Sequence, residues 1–365
     1  MMLLSQRAVK AGPCSTGKRP CSALGRTMPV PMRVTPSMPA PASPCSQQHP
    51  VSRSVLCQAD QSSGDSSPGF LTTPESQSQA FGVLAMTSGA LGVTALLAPA
   101  LILGVMFPGT NMIGDPIYGE LDPYYLRIAG ATLAISAAVE YSLMDAAAAG
   151  RLRSATYQRL MLGTIAKSAA YLAVFATSAE AWTPALMALY PSAAVAALVI
   201  NASVLTNINA QHGGSFPDLG MSLLPAGRDG WVYLGVSLMY LATAVLCVVP
   251  DAPSLFADAQ VVGGFQDGPI SLLLRHTWAP GFLLAGVAAL NLRDAADRDR
   301  LGASTFKRLN LGLVGLECGY VACFLLAMVS RAAPADLMGV SNVAVSLGIS
   351  SFCTWHWLWA QKSKK

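Results

Sequence analysis

Between Asp145 and Phe175 the chain runs through a sequence that it runs through again, without a gap, between Asp294 and Phe324. Asp145, Arg151, Leu152, Thr156, Arg159, Leu160 and Gly163 return 149 positions later as Asp294, Arg300, Leu301, Thr305, Arg308, Leu309 and Gly312. Tyr171, Ala173 and Phe175 return as Tyr320, Ala322 and Phe324, and 13 of the 31 positions are identical. A repeat at a fixed interval constrains architecture before any other signal does. Here it predicts one helical unit used twice.

The medium in which that unit folds follows from composition. Apolar residues make up 53% of the chain and charged residues 12%, about half the charged share of a soluble domain. Mean hydropathy is +0.46. Crossing ~30 Å of hydrocarbon takes about 20 predominantly apolar residues. Eight stretches qualify: 81–106, 124–147, 158–178, 183–205, 231–249, 271–292, 307–329 and 334–358. The expected fold is an all-α integral membrane protein of eight transmembrane helices, a parallel tandem repeat of two four-helix units. The units are 81–205 and 231–359, joined by a polar linker over 206–230 that carries Gly213, Gly214, Pro217 and Pro225. An even number of helices per unit sends both halves into the membrane in the same direction.

The net charge of +4 averages two unlike segments. Residues 1–59 hold seven Lys or Arg and no acid, which leaves 16 basic against 19 acidic residues in the remainder. A Ser-, Ala-, Pro- and Arg-rich leader without acids reads as an organelle transit peptide, and Val55-Leu-Cys57-Gln-Ala59 is similar to a plastid processing site. Residues 60–80 read as a polar approach and 360–365 as a basic tail. With eight spans, Arg151, Arg153, Arg228, Arg298, Arg300 and Lys362 share one side, and Asp115, Glu120, Glu180, Asp251, Asp267 and Asp336 share the other. The positive-inside rule then sets both termini in the stroma of a chloroplast membrane, thylakoid or inner envelope. The six tryptophans fall near predicted helix ends, where aromatic belts sit at headgroup level.

Three ionisable residues lie well inside predicted spans: Glu140, Lys167 and Glu317. Counting 1.5 Å per residue from the turn between helices two and three puts Glu140 and Lys167 at similar depth. They read first as a buried ion pair that holds the hairpin together, and second as a proton- or ion-coupling site. Ala289 and Leu316 occupy their places in the second half, and Glu317 has no basic neighbour at its depth. Asp294, Asp297 and Asp299 superficially resemble diphosphate-binding aspartate motifs, but interleaved arginines and the wrong spacing make a solvated helix end the simpler reading. Cys247, Cys318, Cys323 and Cys353 read as buried apolar residues. His276 and His356 read as interfacial residues in preference to haem or pigment ligands. Gly315 and Gly319 form a GxxxG that favours close helix packing. No catalytic residue, metal site or cofactor is expected.

The opening Arg127-Ile-Ala-Gly130 of helix two and the Gly-Arg-Leu…Arg159 turn before helix three are similar to DoxX-like four-helix membrane proteins. That resemblance implies one four-helix membrane unit for each half of residues 81–358, with no particular activity and no residue roles. The leading expectation is a non-catalytic structural or assembly module of a membrane complex. Its partners would be the lipid bilayer and other membrane proteins, with no nucleic acid. The alternative is a small-solute or ion transporter with a site between the two repeats that uses Glu140, Lys167 and Glu317. A membrane enzyme acting on lipid or prenyl substrates comes third.

Overall fold

The computed structural model describes residues 71–107, 121–177, 184–211, 220–221, 224–248, 270–332 and 337–360, without the side chains of 184–189 and 337–338. The expected leader over 1–59, most of the expected linker, His212, Trp182, residues 361–365 and most of the expected acidic face lie outside the described residues. Among the described residues the chain is helical and has no strand.

Proline and small capping residues set the boundaries. Helix α1 (Pro74–Leu97) begins at Thr73, whose hydroxyl accepts the Ser76 N–H at 3.2 Å, with Pro74 in the first turn. It therefore starts inside the expected polar approach. Pro99 lacks an N–H to continue that ladder, so the expected single stretch over 81–106 breaks at Ala98 and resumes as α2 (Pro99–Met106). Helix α3 (Asp122–Ala148) opens with Asp122-Pro123. It is followed by α4 (Ala155–Thr177), α5 (Pro184–Ala210) and α6 (Arg228–Val248). The expected stretch over 271–292 is a short α7 (Ser271–His276), a turn at Thr277, and α8 (Trp278–Asp297). Helices α9 (Ser304–Val329) and α10 (Leu337–Trp359) complete the order.

Among the described residues six helices are long and apolar enough to cross a membrane: α1, α3, α4, the Tyr190–Ala210 part of α5, α6 and α9. The chain is a multi-pass helical membrane protein. Helix α8 carries Asn291, Arg293, Asp294 and Asp297 within its 20 residues, and α10 is diluted by Ser341, Asn342, Ser346, Ser350 and Ser351.

The turn after α3 and the turn after α8 are built alike. Gly150 has φ 63° and Asp299 φ 59°, the left-handed conformation that ends many helices. The Arg151 N–H bonds the Ala146 carbonyl and the Arg300 N–H bonds the Ala295 carbonyl, each at 2.8 Å. Glycine adopts that conformation freely, and aspartate is among the few other residues that tolerate it.

Helix α1 packs along α3 as α6 packs along α8, and α4 packs on α5 as α9 packs on α10. Helix α9 lies on α3, and α4 lies on α8. Where α3 meets α7 and α8, residues 149 apart touch each other: the Ser271 hydroxyl donates to Asp122, and Gly281 lies against Thr132. The glycines make close approach possible. A Cβ on Gly312 would stand 2.6 Å from the Ala138 Cβ, and one on Gly319 would stand 2.8 Å from the Ala131 Cβ. A Cβ on Gly163, the position 149 before Gly312, would stand 2.8 Å from Val287.

Candidate functional site

Helices α1 and α5 both belong to the first half, but they lean on different neighbours, α1 on α3 and α5 on α4. A cleft opens between them, floored by α3 and α4 and reached at one end by Leu274 and Thr277. Its walls are apolar, with Leu84, Leu91 and Leu133 facing Phe175, Ala194 and Ala197.

Glu140 and Lys167 line this cleft together. They pair at 3.4 Å, and their side chains are 1% and 6% exposed. The depth argument from the hairpin therefore holds. The second carboxylate oxygen of Glu140 accepts the Ser88 hydroxyl at 2.6 Å, which ties α1 to the pair. Ser168, next to Lys167 on the cleft wall, is 1% exposed, and its hydroxyl has no hydrogen-bond partner among the described residues. Sequence reading missed Ser88 and Ser168, since a serine on a helix carries no signal until its neighbours are known.

Glu317 is elsewhere. It sits on α9, buried among second-half helices, where the Tyr240 hydroxyl of α6 donates to it and Ser346 of α10 bonds it. The three intramembrane residues do not form one site. Glu140 and Lys167 share the first-half cleft, and Glu317 occupies the position that corresponds to Ser168.

The corresponding space in the second half is filled. Leu84, Leu91 and Leu133 have Tyr233, Tyr240 and Phe282 as their counterparts, and all three are buried. Tyr240 stacks on Phe282 with ring centroids 6.0 Å apart, and Tyr233 meets Phe352 edge-on at 5.0 Å. The Tyr233 hydroxyl donates to Asn310 at 2.7 Å. Leucine in the first half leaves room that these rings take up.

The aspartates of the α8 end spend their oxygens on structure. Asp294 accepts Arg159 at 2.8 Å and Arg298 at 2.9 Å. Asp297 accepts the Ala226 N–H at 2.9 Å and lies 3.7 Å from Arg293. Among the described residues no three His, Cys, Asp or Glu side chains gather as metal ligands would. His356 faces Asp229 at 3.6 Å. The expectation for Trp278 is corrected: it is 3% exposed, not anchored at an interface, and its indole N–H donates to the Tyr125 carbonyl at 2.8 Å. An indole near a helix start looks the same in sequence whether it turns outward or inward.

No family model matches the chain, and no curated protein is similar to it at a significant level. The resemblance to DoxX-like proteins rests on Arg127-Ile-Ala-Gly130 and the turn before Arg159 alone.

Proposed function

We propose that this chain is a non-catalytic carrier of a small solute in a plastid membrane, and that the cleft of its first half is where the solute sits. One observation carries the reading. Glu140 and Lys167 are held charged-pair fashion on the wall of an otherwise apolar cleft, although each such residue costs ~2.5–3.5 kcal/mol to insert. The second half replaces them with Ala289 and Leu316 and folds the same helices. A pair that the scaffold can do without is better explained by what the cleft holds.

In this reading the membrane is crossed eight times by two parallel four-helix units, with both termini in the stroma. The recurrence of helix ends, cap geometry and helix partners at an interval of 149 supports the duplication. A second reading, an assembly module within a larger membrane complex, draws on the outward faces of α1 and α6. There Met86, Leu97, Leu238 and Val245 are exposed. Lipid satisfies those faces as well as a partner does, so the cleft carries more weight.

Mass spectrometry of the purified full chain tests the carrier reading. Wild type should retain a small molecule that Ala194→Phe, which fills the cleft with a ring, loses. Equal retention by both proteins, or none by either across lipid extracts, would overturn it. A tag inserted just after residue 59 and a tag at the C-terminus should be cleaved from the same face of isolated plastid membranes.

A further inference from the structure

The donors left over in the cleft say what its ligand looks like, an inference that rests on the carrier reading. The Lys167 ammonium has three N–H donors, and its recorded contact is one long hydrogen bond of 3.4 Å to Glu140. Glu140 is better satisfied, since Ser88 holds its other oxygen at 2.6 Å. The next residue along α4 on the cleft lining, Ser168, is buried, and its hydroxyl has no partner among the described residues. Leaving a buried donor unmade is costlier than leaving one in water. Two adjacent residues on the cleft wall therefore offer hydrogen bonds that nothing in the described fold accepts.

Charge decides which acceptor fits. Glu140 already balances Lys167, so the pair is neutral as a unit. An anionic head would add a second negative charge beside Glu140 in a low-dielectric wall, and a cationic head would face Lys167. A neutral acceptor takes the spare donors and leaves the balance intact. The rest of the ligand must match leucine and phenylalanine walls, which open between α1 and α5 at the half-exposed Leu91.

We propose that the cleft binds a long-chain amphiphile with an uncharged, carbonyl-type head. The head rests on Lys167 and Ser168, and the chain lies between α1 and α5.

Three photoreactive C16 probes that share one diazirine-bearing chain and differ only in the head test this. The heads are a methyl ester, a carboxylate and a primary amine, each offered to the purified full chain in lipid nanodiscs. The ester probe should label peptides of α1 and α5 most strongly. Ser168→Ala should weaken that labelling about three- to tenfold, the usual effect of one hydrogen bond. That variant removes a hydroxyl with no partner among the described residues, so it should fold as wild type does. Ala194→Phe should abolish the labelling.

Stronger labelling of the cleft by the carboxylate or the amine would overturn the uncharged head and leave the carrier reading standing. Labelling indifferent to Ser168→Ala would overturn the placement of the head. If no probe labels wild type above Ala194→Phe, the inference falls. The carrier reading then stands or falls on retention of any other small molecule.

Discussion

The Arg159 guanidinium of α4 donates to Asp294 of α8 at 2.8 Å, with both side chains about nine-tenths buried. The residues 149 positions away, Arg308 and Asp145, form the same contact at 2.9 Å between α9 and α3. Each half thus clamps the other through one arginine of its helix-three equivalent and one aspartate of its helix-two equivalent. The clamps differ in depth. Arg308 and Asp145 are 28% and 36% exposed, and Arg308 also lies over the Tyr141 ring at 4.7 Å.

Depth predicts unequal effects. Asp294→Ala strands Arg159 in a buried site and should destabilise by about 3–5 kcal/mol, as breaking a buried pair does. Asp145→Ala should cost under about 1 kcal/mol, in the range of exposed pairs. Replacing both buried partners with apolar residues, Arg159→Met with Asp294→Leu, should recover most of the loss. Thermal unfolding of the purified protein in detergent reads all three. Equal loss from the two single aspartate variants would show that the clamps are not graded by burial.

The seam between α3 and α9 gives a packing prediction. Gly312 and Gly319 lie against Ala138 and Ala131 too closely for a Cβ, and Gly315 lies tightly against Ala134. Gly312→Val should force the helices apart and destabilise by about 1–3 kcal/mol, the range for overpacking. Gly348→Ala is the control, because a Cβ there meets nothing within 4 Å. It should be neutral or mildly stabilising through its helix propensity. A loss of stability at Gly348 equal to that at Gly312 would mean that the glycines matter for some reason other than space.

The pair in the cleft predicts a non-additive series. Glu140→Leu leaves the Lys167 ammonium buried without its carboxylate, and Lys167→Met leaves the carboxylate with Ser88 alone. Each should destabilise by about 3–5 kcal/mol. The double variant, which copies the apolar character of Ala289 and Leu316, should be close to wild type in Tm while losing retained ligand. A double variant as unstable as the singles would make the pair a part of the scaffold and weaken the carrier reading.

Much of this arrangement was legible in the chain. Apolar runs gave the helices, the shared turn gave the depth of Glu140 and Lys167, and Gly315 and Gly319 gave a close seam. Other features were hidden for identifiable reasons. One partner of Glu317 is Tyr240, 77 residues away on a helix that hydropathy alone does not orient. The breaks at Ala98 and Thr277 interrupt stretches whose apolar content is continuous. The cleft itself is defined by what is small. Leu84, Leu91 and Leu133 are unremarkable apolar residues until each is set against the ring that stands 149 positions later. The alignment over 145–175 stops short of all three.

That comparison supplies the last prediction. Tyr240 and Phe282 stack and close the second-half space, so rings at positions 91 and 133 should close the first. Phenylalanine is the right choice at position 91. The Tyr240 hydroxyl is satisfied by Glu317, whereas the first half has the shorter Ser168 hydroxyl at that place, a weaker acceptor than a carboxylate, so a phenol at position 91 gains less from its hydrogen bond. Leu91→Phe with Leu133→Phe should therefore raise Tm, because the rings fill a void, and should abolish both ligand retention and labelling by the ester probe. Leu91→Tyr with Leu133→Phe should abolish binding equally but gain less in Tm. If the Phe pair binds ligand as wild type does, the ligand does not occupy the space between α1 and α5.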